Sequence, residues 1–130
     1  MRNNSSYTII NYLIAGLIGL IFLYVYCYPW LNPMGLTIPS GCHDLPLAFC
    51  KSRGLTRGFA QMIRFNYEDA IAFNPYCWRI FSFFLFQFIA RISLTIIAKR
   101  TKPLFAYSLD LIFSIPHFAY SMIVLTPFYD

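Results

Sequence analysis

The sequence predicts an all-α integral membrane fold: three transmembrane helices, with short amphipathic interfacial helices between the first and second. Three observations carry this expectation. The mean hydropathy is +0.57. Hydrophobic residues make up 58% of the chain and charged residues 12%, whereas a soluble domain carries about 25% charge. A chain of 130 residues has too little interior to hide that much apolar surface from water, so lipid is its natural solvent. Finally, three apolar stretches each meet the roughly 20 residues that a helix needs to cross a hydrocarbon core about 30 Å thick. Backbone polar groups in lipid must be satisfied within their own segment, which makes these stretches helices. The whole chain, 1–130, is read as a single membrane domain.

The first span, about residues 8–28, reads "TIINYLIAGLIGLIFLYVYCY" and carries no charge. Its apolar run is too long for a signal peptide and no small-residue cleavage site follows, so it reads as an uncleaved anchor. The second span, about residues 76–98, carries Arg79 and Arg91. The third, about residues 103–127, carries Asp110 and His117, with Pro116 expected to kink it. Aromatics crowd the span ends (Tyr24, Tyr26, Tyr28 and Trp30; Tyr76 and Trp78; Phe128 and Tyr129), where a headgroup-level belt requires them.

Between the first two spans, about residues 31–74, the chain changes character. "LNPMGLTIPSGCHDLP" holds three prolines and two glycines and reads as turns. After Gly54, Leu55, Phe59, Met62 and Ile63 fall at i, i+4, i+7 and i+8, one face of a helix about three turns long. Arg53, Arg57, Gln61 and Arg64 form the opposing stripe, and four of the ten Lys and Arg residues fall within residues 49–66. Such a helix is expected to lie in the membrane interface, its arginines facing acidic headgroups or a partner's carboxylates while their stems cover apolar surface. Asn66 is placed to cap a second short helix, with Glu68 and Asp69 in its first turn where the helix dipole favours anions. Asn74 and Pro75 repeat the device before the second span.

"CKSRGLTRGF" followed by "FNYEDAIAFNP" resembles a family of small bacterial membrane proteins of no assigned function. That family is marked by C-P-x-C-G-L-T-R, an amphipathic helix, and an N-P-initiated transmembrane helix. Cys50, Gly54, Leu55, Thr56 and Arg57 match the first part, and Asn66, Ala70, Asn74 and Pro75 the second. Cys42 stands where the family has an upstream cysteine, and the likeness covers residues 35–95. Lys51 replaces the family's proline and Arg53 its second cysteine, so half of any paired-cysteine chemistry is lost here. The resemblance implies a fold and no activity.

Cys42, His43, Asp44 and Cys50 are the densest group of possible ligands. Tetrahedral zinc calls for two close pairs, which this loop lacks. A Cys42–Cys50 disulfide is expected if the loop faces an oxidising compartment; free thiols and a metal site are the alternatives. Cys27 and Cys77, at span ends, read as small hydrophobes.

Inside the membrane, a turn centred between Arg100 and Thr101 sets Arg91 at the depth of Asp110 and Gln87 at that of Ser114. Each pair on its own helix, 87 with 91 and 110 with 114, is spaced i, i+4 and shares a face. An isolated charge deep in a bilayer costs at least a few kcal/mol, so these groups are expected to turn inward as an Arg91–Asp110 ion pair. The expected polar seam includes Gln87, Ser114 and His117, and reads as interhelical glue or, alternatively, as an ion path.

No nucleophile elbow, zinc-protease helix, phosphate loop or haem motif is present, and no catalytic, cofactor or metal residue is assigned. A net charge of +5 in a chain without a separable basic run points to headgroups rather than nucleic acid. Arg2 and the "KRTK" turn fall on one side, and Lys51, Arg53, Arg57 and Arg64, diluted by Asp44, Glu68 and Asp69, on the other. The denser turn favours an inside amino terminus in a bacterial cytoplasmic membrane. The expected role is a non-catalytic accessory subunit that packs in the bilayer against a larger membrane-protein complex. The alternatives are a thiol, metal or lipid-acting enzyme at the Cys42–Cys50 loop, using Arg57 and Arg64 as phosphate clamps, and a transporter component using the Arg91–Asp110 seam.

Overall fold

The structure, a computed structural model, describes residues 2–39, 41–42, 45–101 and 103–126, and every regular element among them is helical. The elements are α1 (Arg2–Leu31), α2 (Leu55–Met62), α3 (Tyr67–Phe73), α4 (Cys77–Arg100) and α5 (Pro103–Met122), the last closed by a 3₁₀ turn at Ile123–Leu125. Three stretches are long and apolar enough to cross a membrane: Ser6–Leu31, Cys77–Arg100 and Leu104–Leu125. At 1.5 Å per residue they measure roughly 33–39 Å, enough to span with room for tilt. The chain is therefore an all-helical, multi-pass membrane protein. The first span reaches beyond residues 8–28 at both ends, and at its carboxyl end Pro29 is accommodated inside α1. Likewise α5 continues through Pro116 without a break in its helix assignment.

Helix α4 is central and packs along both α1 and α5. At one end, near the turn at Thr101, the small residues Ala98 and Ala106 are buried beside Tyr7. They let the helices approach closely, and the Tyr7 ring stands edge-on to Tyr107 with centroids 4.5 Å apart. At the opposite end the core draws on every element: Val25 from α1, Phe59 from α2, Ala70 from α3, Cys77 and Ile80 from α4, and Val124. Phe59 sets its ring edge-on against Phe81 and Phe84, at 5.3 and 5.9 Å. Such pairs add about 0.5–1.5 kcal/mol beyond their buried area.

Helix α2 departs from the expectation in two respects. It is eight residues long, not three turns, because Phe65 takes a left-handed conformation (φ 62°) just beyond it. The Asn66 amide then donates to the Gln61 carbonyl and that of Phe65 to the Met62 carbonyl, both at 3.0 Å, closing the helix with a Schellman pattern. Its apolar face is also spent differently: Phe59 is buried, and Leu55, Met62 and Ile63 pack on the same protein core instead of entering lipid. Nor does Asn66 cap α3 with its side chain; its Nδ2 donates to Gln61 Oε1 at 3.0 Å.

A tight junction holds this cap in place. Asn74 is fully buried, and its Nδ2 donates to the carbonyls of Lys51 and Arg53, both at 2.8 Å, while its Oδ1 accepts from the Tyr76 amide. Gly54 sits at φ 80°, where a Cβ would stand 2.4 Å from the Phe73 carbonyl oxygen. At Gly58 a Cβ would meet Cys77 Sγ at 3.0 Å. Only glycines allow the 50–58 stretch to press so closely on the α3–α4 corner.

Candidate functional site

Three helices each contribute an i, i+4 polar pair to a cluster inside the spanning region: Tyr7 and Asn11 from α1, Gln87 and Arg91 from α4, Asp110 and Ser114 from α5. Arg91 is its hub. Its Nη1 and Nη2 form a bidentate fork on Asp110, at 2.6 and 2.7 Å. Nη1 also donates to Asn11 Oδ1 (3.0 Å) and Nη2 to Ser114 Oγ (3.1 Å). Gln87 Oε1 accepts from Nε and Nη2 at 3.2 and 2.9 Å. Asp110 is matched in turn, accepting from the hydroxyls of Ser114 (2.8 Å) and Tyr7 (3.2 Å). The two charges cancel, and their side chains keep only 11% and 16% of their surface exposed. Chemically, such a cluster fixes the register of three helices and holds its charges in place.

His117 is not part of this network. It lies three residues beyond Ser114, and its ring stacks on Phe86 with centroids 4.7 Å apart and planes 4° from parallel. Its Nε2 is buried without a hydrogen-bond partner among the described residues. Sharing a helix face with Asp110 places it about two turns further along the axis, out of hydrogen-bond reach.

The second candidate region is the loop and helix after α1. Cys42 and Cys50 are joined in a disulfide. The Ser52 hydroxyl donates toward both sulfurs, at 3.5 and 3.6 Å, since a disulfide has no proton to give. With both sulfurs bonded to one another, neither is a thiolate ligand for a metal. His43 and Asp44 lie outside the described residues.

No family model, curated protein or solved structure matches the chain. Its function is therefore argued from its own residues.

The three arginines of the α2 region divide by employment. Arg64 is half-buried and works internally: it donates to the carbonyls of Ala60 and Tyr26 and lies over the rings of Tyr26 (5.2 Å) and Trp30 (5.5 Å), stapling α2 to the end of α1. Part of its hydrogen-bonding capacity is thus committed inside the protein, between carbonyl acceptors and aromatic faces. Arg53 is exposed, with Nη1 donating to the Leu45 carbonyl at 2.9 Å. Arg57 is exposed with its guanidinium 5.9 Å from the Phe73 ring centre.

Sequence reasoning missed two members of the intramembrane cluster, Tyr7 and Asn11. Tyr7 stood just outside the span as read, and Asn11 carries no charge to flag it. Their i, i+4 spacing, the same as in the pairs on α4 and α5, is the signal that identifies them. Arg79 is read in the second span but without its partner: its Nη2 donates to the Tyr120 carbonyl at 2.8 Å while the guanidinium lies 4.2 Å above that ring.

Proposed function

We propose that this protein is a non-catalytic accessory subunit that packs in the bilayer against a larger membrane-protein complex. The observation that carries this reading is how the intramembrane polar groups are employed. Tyr7, Asn11, Gln87, Asp110 and Ser114 all turn onto one another or onto Arg91, binding α1, α4 and α5 together and leaving the outer faces apolar. Helix α5 is the least embedded of the three spans. It exposes Leu104, Leu111, Ile112 and Ile115. Helices in lipid associate through packing and not through escape from water, so a span that turns most of its surface outward gains contacts from a further helix. The occupant proposed for this face is a transmembrane helix of the larger partner.

A photo-crosslinking residue at Ile112 or Ile115, followed by purification in mild detergent, tests this. The expected result is an adduct with one larger polypeptide, recovered in fixed ratio to this chain. Adducts only with lipid, or only with a second copy, overturn the reading. A second reading, a transporter component, draws on a crevice of about 280 Å³ between α4 and α5 that is lined in part by Gln87, Arg91 and Ser114. The engagement of all three Arg91 guanidinium nitrogens weighs against it, since a moving charge must first break those bonds.

A further inference from the structure

A cleft of about 740 Å³ opens at the end of the bundle where α1 gives way to the disulfide-bearing loop. Arg53 and Arg57, four residues apart across the start of α2, both line it, as do Ser52, Thr56, Asn32 and Tyr28. Among the described lining residues there are two guanidinium groups and no carboxylate. The acids of α3, Glu68 and Asp69, are exposed and do not line it. Arg57 forms no ion pair among the described residues, and Arg53 gives one nitrogen to the Leu45 carbonyl and keeps the rest of its donors.

The location adds to the charge. The stretch Ser6–Leu31 ends beside the cleft and Cys77 begins the next, so a bilayer crossed by these helices would set the cleft near its headgroups. Its remaining wall is mostly apolar, with Ile38, Leu55 and Phe73 among the lining residues. Guanidinium forks match the oxygens of a phosphate two at a time, and hydroxyls supply further donors.

We propose that this cleft is a phosphate-binding site, with Arg53 and Arg57 gripping the anion and the apolar wall receiving the organic part of a phosphorylated amphiphile. The site is independent of the α5 face and stands or falls separately from it. The phosphate has two sources, a lipid headgroup or a free phosphate.

Native mass spectrometry of the full chain in a neutral detergent, with phosphatidic acid or inorganic phosphate added, distinguishes them. The expected result is one phosphatidic acid retained per chain, with Arg53→Gln and Arg57→Gln together weakening it by about tenfold or more. Both side chains are exposed, so the variants keep the fold, which helix content by circular dichroism checks. Lys99→Gln with Arg100→Gln, at the opposite end of the bundle, leaves the affinity unchanged. If inorganic phosphate binds in the same Arg-dependent manner and displaces the lipid, the site is a free-phosphate site; if the lipid persists in excess phosphate, it is a headgroup site. Retention by the Arg53/Arg57 variant equal to wild type, or an equal loss in the Lys99/Arg100 variant, overturns the proposal.

Discussion

A guanidinium in hydrocarbon is tolerated when its donors meet acceptors before they need water. Arg91 achieves this with side chains from three helices, so removing one partner strands the other in a medium that cannot solvate it. Asp110→Leu and Arg91→Met are each expected to cost about 3–5 kcal/mol, while the double substitution costs less than the sum of the two by at least about 1 kcal/mol. Unfolding in mixed micelles measures all three. Additive losses would mean that the ion pair does not act as a unit. The depth relation between Arg91 and Asp110 is legible in the sequence because a short turn leaves the two helices little freedom of register. The contribution of α1 is not, since no such turn ties residues 7 and 11 to the hairpin and neither is charged. His117 shows the converse limit: sharing a face with Asp110 at seven residues' distance puts it out of reach along the axis, and the aromatic ring of Phe86 supplied a nearer surface.

Helix α2, at eight residues, is far below the roughly 12–15 that make an isolated helix stable, so packing must hold it. The close approach at Gly54 is the means. Gly54→Ala must either push back the Phe73 carbonyl, 2.4 Å from the new Cβ, or give up φ 80°. A non-glycine residue in the left-handed region alone costs about 1–2 kcal/mol. A loss of about 2–3 kcal/mol is expected, with earlier proteolysis of residues 45–66 while α1 and α4 persist. Gly16→Ala, with nothing within 4 Å of its Cβ, serves as the control and is expected to be neutral or mildly stabilising. The face of α2 was readable from the spacing of Leu55, Phe59, Met62 and Ile63. Its destination was not, because the hydrophobic effect is non-directional and an apolar stripe suits lipid and protein alike. Its length was hidden for another reason: Phe65 holds the left-handed position that glycine or asparagine usually announces.

For the whole molecule, two independent considerations bear on which end faces the cytoplasm. The start of α1 and the end of α4 with Lys99 and Arg100 lie at one end of the bundle, and the disulfide and α2 lie at the other. Short loops rich in Lys and Arg tend to stay inside, so the expectation from charge is a turn on the cytoplasmic side. Arg64, committed to the Tyr26 and Ala60 carbonyls, does not change that count but serves local structure. The Cys42–Cys50 bond supplies the second consideration, since disulfides persist in oxidising compartments and are rare in the cytosol. Closing so short a loop stabilises it by roughly 2–3 kcal/mol in the chain-entropy account, an effect available only where the bond survives. The expected topology is amino terminus inside and disulfide loop outside. In a Cys27→Ser background, where Cys77 is buried, a membrane-impermeant maleimide should label Met34→Cys in intact cells and Thr101→Cys only after permeabilisation. The reverse pattern would place the disulfide in a reducing compartment and turn the Arg53–Arg57 cleft toward the inner leaflet. Charge density and redox chemistry would then both be contradicted, and the basic turn would need another explanation than topology.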